Sequence, residues 1–110
     1  MKIKLIRNKI PEIMNEKDRN NHVLNVSHDM HVKLLSEKLI EEAREVVAEL
    51  HEYPKIRNKQ AMEELADLFT AYQDLIKLLE IDENGLEKCI INKIKKRGDF
   101  SEPIAYIIKE

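Results

Sequence analysis

The stretch "EEAREVVAELHEYPKIRNKQAMEELADLF", Glu41–Phe69, decides how this chain folds. Its first part continues an apolar stripe in which Val32, Leu35, Leu39, Ala43, Val46 and Leu50 recur at steps of three and four. That period predicts an amphipathic helix from about Asp29 to His51, with Ser27 as its cap. Pro54 cannot continue the helix, so "EYPKIRN" reads as a connection. A second stripe, Met62, Leu65, Phe69, Tyr72, Ile76 and Leu79, is widened by Leu68 and Leu75. It predicts a helix from about Lys59 to Glu80, with Phe69 and Tyr72 serving the core. Two helices of similar length joined by a short connection pack as an antiparallel hairpin.

The same stretch carries two acidic pairs, Glu42 with Glu45 and Glu64 with Asp67. Residues three apart share a helix face. At about 100° per residue, Glu42 and Glu64 border the apolar stripes of their helices. Glu45 and Glu64 each lie about 8–9 Å from the hairpin end, and Glu42 and Asp67 lie about one turn further along. The pairs therefore face each other at matching heights, and small Ala71 leaves room beside them. Four carboxylates in one place repel unless a cation compensates. Hard oxygen ligands of this kind suit Mg²⁺ or Mn²⁺. Glu41, Glu49 and Glu63 fit ordinary surface charge. Lys38, one turn before Glu42, serves either an intrahelical salt bridge or a bound phosphate. A di-iron centre would need Glu-x-x-His pairs, and His22, His28, His31 and His51 supply none. His28 and His31 read as surface or capping groups.

The rest of the chain frames this hairpin. Its 110 residues suit one domain. A net charge of −2, with 19 basic and 21 acidic residues interspersed, argues against a nucleic-acid polymer as partner. Glycine occurs only at 85 and 98, so few, long helices are expected. Cys89 stands alone, which excludes an intrachain disulfide, reads as a small buried apolar residue and points to a reducing cytoplasm. The opening "MKIKLIRNKI" lacks the apolar run of a signal peptide, and no segment is long enough to span a membrane. "IPEIMNEK" reads as a short helix with Pro11 in its first turn, and "HVLNVS" alternates like a short strand. A third helix, 84–97, carries Leu86, Ile90, Ile91 and Ile94, with an Asn84–Glu87 capping box and Gly98 as its stop. The tail "PIAYIIKE" reads as extended, with apolar side chains that need cover from the domain or a partner chain.

"KLIEEAREVV" followed by "MEELADLF" resembles the MazG-like superfamily of all-α nucleoside triphosphate pyrophosphohydrolases, which includes phosphoribosyl-ATP pyrophosphohydrolase. The superfamily pattern is ExxE, a variable gap, then ExxD, and Glu42, Glu45, Glu64 and Asp67 match it one by one. The early "KLIRNKIPEI" and late "KIKKRGDF" resemble a subgroup described as phosphoribosyl-ATP pyrophosphohydrolase-like or house-cleaning enzymes, so the resemblance spans nearly the whole chain. Two positions depart from that subgroup: Asn8 stands where it usually has Asp, and Asp99 where it usually has a second Gly.

The resemblance implies one all-α domain over 1–110, an antiparallel helical bundle of the NTP pyrophosphatase type with short extended terminal segments. It implies Mg²⁺-dependent hydrolysis between the α and β phosphates of a nucleotide, giving a monophosphate and pyrophosphate, with Mn²⁺ as a substitute cation. Glu42, Glu45, Glu64 and Asp67 would hold the metal, with Glu45 favoured as the base. Arg7, Lys9, Lys38, Lys93, Lys96 and Arg97 are the candidate phosphate ligands. Arg97 beside Gly98 stands first, because a planar fork suits phosphate oxygens. Phe100 is the candidate for stacking on a base. A homodimer or homotetramer is implied, with sites near the subunit interface. Two alternatives stand beside this reading: phosphoribosyl-ATP hydrolysis in histidine synthesis, and a non-catalytic helical interaction module.

Overall fold

The structure, a computed structural model, describes residues 2–109. Five helices follow one another: α1 (Ile10–Ile13), α2 (Glu16–His22), α3 (His28–Glu52), α4 (Lys59–Leu78) and α5 (Glu83–Arg97). The described residues contain no strand. They form two compact units, one ending at Leu79 and one starting at Glu80.

In the first unit α3 and α4 pack along each other. Leu34, Leu35 and Val46 of α3 and Ala61 and Ala71 of α4 are its buried apolar residues. Leu35 is only 3% exposed. The small alanines let the helix axes approach, and the leucines fill the seam between them.

Both long helices begin on side-chain caps. Ser27 Oγ accepts from the Met30 N–H at 3.2 Å and starts α3 where the sequence places it. Asn58 caps α4, accepting from the Ala61 N–H at 3.0 Å. Its amide nitrogen also donates to the Tyr53 carbonyl at 2.8 Å. Asn58 therefore ties the end of α3 to the start of α4, and it is the single buried polar residue among those described. Just before it, Arg57 takes φ 59°, a left-handed conformation that costs a non-glycine residue about 1–2 kcal/mol.

The segment before α3 differs from its sequence reading. The helix at Pro11 forms, but a second follows it, because Asn15 Oδ1 caps α2 through the Asp18 N–H at 2.9 Å. Arg19 braces the two, with Nε donating to the Pro11 carbonyl at 2.7 Å. The strand expected over "HVLNVS" does not form: His22 closes α2, and 23–27 is irregular chain with no partner strand to pair it.

The second unit contains α5 and the tail. Asp82, not Asn84, caps α5; its side chain accepts from the Asn84 N–H at 3.2 Å, so the helix starts before the expected capping box. Gly98 ends it at φ 75°, where glycine is favoured, and its N–H reaches the Ile94 carbonyl at 2.7 Å. Cys89 is exposed rather than buried, because α5 has no buried residue in this chain alone. The tail holds no regular element, and Ile104, Tyr106, Ile107 and Ile108 are exposed.

The double use of Asn58 sets a stability test. Asn58→Ala is expected to cost about 1–2 kcal/mol, the upper range for a lost cap, because the Tyr53 carbonyl loses its donor as well. Asn58→Asp keeps the cap and loses only that donor, so it should fall between the two in urea unfolding. Wild-type stability in Asn58→Ala would show that the connection is held otherwise.

Candidate metal centre

The hairpin register brings together three of the four acids that the sequence singles out. Glu42, Glu64 and Asp67 each offer a carboxylate oxygen within 4.8 Å of the others. Opposite ligands of one divalent cation lie about 4.2 Å apart around Mg²⁺ and up to about 5.2 Å around Ca²⁺, so the three can share one ion. The Glu42 side chain is 14% exposed. Its Oε2 is buried without any hydrogen-bond partner. A carboxylate oxygen in that state is costly unless a cation or proton reaches it. Glu64 Oε1 accepts from Gln60 Nε2 at 2.7 Å, one turn earlier on α4.

Glu45 stands at the edge of this group. Its carboxyl is pushed up from an ordinary 4.5 to about 7, first by a hydrogen bond to Glu64, then by loss of water contact and by the negative charges of Glu42 and Glu64. Such a bond between carboxyls needs a proton, which Glu45 retains well above its ordinary range.

Three cations compensate the other acids. Arg7, on the irregular N-terminal segment, donates to Asp67 Oδ1 at 2.5 Å. Lys4 on the same segment reaches Glu41 Oε1 at 2.9 Å, and Lys38 reaches Glu41 Oε2 at 2.9 Å. Glu41 is thus no ordinary surface charge: hydrogen bonds from Lys4 and then Lys38 hold its carboxyl down at about 2. The same bond to Glu41 raises Lys4. Lys38 also lies 4.0 Å from Glu42 Oε1, an intrahelical salt bridge, which is one of the two roles its sequence position offers.

Two hollows adjoin these groups. A cavity of about 130 Å³ is faced by Arg7, Lys38, Glu42, Asp67, Thr70 and Asp74. A wider groove of about 770 Å³ lies between the N-terminal segment and α3, where Lys2, Lys4, Lys38 and Arg44 meet Glu37, Glu41 and Glu45. Lys4, Arg44 and Asp74 were not singled out from the sequence. Asp74 is seven residues after Asp67 and so shares its face, a spacing that could have found it. No periodic signal places Lys4, because its segment has no regular structure.

The remaining candidates lie elsewhere. Lys9 caps α1 without a side-chain bond and faces neither hollow. Lys93, Lys96 and Arg97 belong to the second unit, where they line one shallow face of α5 with Lys88. Phe100 is fully exposed there. Asp99 accepts from the Ser101 N–H at 3.1 Å and its hydroxyl at 2.6 Å, which lowers its carboxyl and makes it a turn residue. Phe69 and Tyr72 are not core: they stack with centroids 6.3 Å apart and are exposed, because one neighbouring helix covers only one seam of α4. No protein family, curated protein or solved structure matches the chain.

The proton that Glu45 retains has a consequence for stability. The folded chain holds it up to about pH 7, whereas an unfolded glutamate releases it near 4.5. Without divalent cations, Glu45 should therefore contribute a loss of stability as pH rises from 4.5 to 7, and a constant cost above that. Glu45→Gln removes this loss. The Tm of Glu45→Gln minus that of wild type should grow across that interval and then level off. Parallel Tm profiles would show that Glu45 retains no such proton.

Proposed function

We propose that this chain is a Mg²⁺-dependent nucleotide pyrophosphohydrolase, which cleaves between the α and β phosphates of a nucleoside triphosphate and releases a monophosphate and pyrophosphate. The observation that carries the reading is the meeting of Glu42, Glu64 and Asp67 around a buried, unpartnered Glu42 oxygen. The ExxE and ExxD resemblance supports it from the sequence side.

In this reading Glu42, Glu64 and Asp67 hold the cation, with Glu45 completing the set. The cation, when bound, supplies charge neutralisation for the triphosphate and the departing pyrophosphate. Glu45 takes the proton from the attacking water, a role suited to a carboxyl that titrates near neutrality. Lys38, Lys4 and Arg44 line the wider groove and orient phosphate oxygens there. Arg7 faces the smaller cavity and serves the same purpose. Lys9, Lys93, Lys96, Arg97 and Phe100 remain candidates through the resemblance alone.

A homo-oligomer belongs to the same reading. Ile40, Val47, Met62, Leu65, Phe69 and Tyr72 leave apolar surface exposed on α3 and α4, and a second copy packed there would complete a bundle of the all-α pyrophosphohydrolase type. No helix among the described residues is long and apolar enough to cross a membrane. The proposed setting is the cytoplasm, where nucleotide substrates are found.

Purified protein with Mg²⁺ or Mn²⁺ should convert at least one member of a panel of ordinary, deoxy and modified nucleoside triphosphates into monophosphate and pyrophosphate, measured by chromatography. Phosphoribosyl-ATP belongs in the panel, and the best substrate separates house-cleaning from histidine synthesis. Glu42→Gln and Asp67→Asn should each lower kcat/KM by about a hundredfold or more with helix content unchanged. Full turnover in either variant would refute the site assignment.

A further inference from the structure

We propose that Arg7 acts as a counter-ion for Asp67 that must leave before the carboxylate cluster can bind its cation, and that the freed guanidinium then holds substrate phosphate. The inference rests on the metal-dependent reading above and adds how the site is switched from its resting to its loaded form.

The N-terminal segment before α1 is irregular, and side-chain ion pairs tie it to the hairpin at two points. Lys4 is held by Glu41 and Arg7 by Asp67. The two anchors differ in their surroundings. Glu41 lies outside the cluster and also binds Lys38, so the Lys4 anchor survives when the cluster is filled. Arg7 sits on Asp67 Oδ1, and Asp67 is one of the three acids whose oxygens converge. A guanidinium donates hydrogen bonds and carries a fixed positive charge, so it competes with a divalent ion for the same acid on both counts.

The geometry also limits how firmly Arg7 is held. Its side chain is 60% exposed and that of Asp67 41% exposed. An ion pair so open to water is weak. Arg7 can therefore be released by a ligand without unfolding the hairpin. Because Lys4 stays anchored three residues away, the released guanidinium remains beside the small cavity that it already faces with Glu42 and Asp67. A phosphate oxygen presented there would satisfy the same donors that Asp67 satisfies at rest.

Two measurements test the exchange without relying on turnover. In calorimetry with Mn²⁺ alone, Arg7→Gln should bind about two- to five-fold more tightly than wild type, since no internal cation has to be displaced. Arg7→Lys keeps the charge and should stay near wild type. In NMR spectra of the wild type, saturating Mg²⁺ should shift the Arg7 Nε–H resonance, and inorganic pyrophosphate added with Mg²⁺ should shift it again. Equal Mn²⁺ affinity in wild type and Arg7→Gln, or an Arg7 Nε–H resonance unmoved by Mg²⁺, would overturn the exchange and leave the metal centre standing. Absence of Mn²⁺ binding in wild type and Arg7→Gln alike would overturn the metal centre itself, and the exchange with it.

Discussion

Asn58 uses both ends of one amide to join the last turn of α3 to the first turn of α4, and the register of the hairpin depends on that short connection. Side chains on facing helices meet only when their heights agree, and one helical turn is about 5.4 Å. A slip of one turn would carry Glu64 past Glu45 and separate Asp67 from Glu42. The buried residues fit the same register, since Leu35 and Val46 of α3 and Ala61 and Ala71 of α4 are buried in the unit where these helices pack. The turn and the seam thus select the same arrangement, and the acid cluster follows from both.

That arrangement concentrates like charge, and the chain meets the problem in three ways. Asp67 takes Arg7, and Glu41 takes Lys4 and Lys38. Glu45 retains a proton well above its ordinary range. Glu42 alone keeps a buried oxygen with no partner. The compensation is thus incomplete at Glu42. With its side chain 14% exposed, Glu42 is more enclosed than Asp67 at 41%.

The apolar surface is the other unfinished feature. A single pair of helices has one shared seam, and stripes as wide as those of α3 and α4 exceed it. Phe69, Tyr72, Met62 and Leu65 therefore stay in water although their spacing is that of core residues. The tail after Gly98 has the same character, with Ile104, Tyr106, Ile107 and Ile108 exposed. Periodicity records that a face is meant to be covered; it does not record whether the cover comes from the same chain.

Local signals accordingly determined much of this protein. The periods of three and four, Pro54 and the Ser27 cap set both long helices and the connection between them, because helix formation and termination depend on near neighbours. The spacing of Glu42, Glu64 and Asp67 was enough to bring them together across the hairpin, with Glu45 at the edge of their group. Sequence reading failed where a single residue type fits several local outcomes: 23–27 alternates like a strand but has no strand to pair with, and Asp82 reached the start of α5 before Asn84 could cap it. Only the tertiary structure decided which cations stand against the acids. Lys4 and Arg7 meet Glu41 and Asp67 across separations of 37 and 60 residues, from a segment with no period to read. Charge attraction acts through space and carries no sequence spacing of its own, so those partners became visible only once the chain had folded.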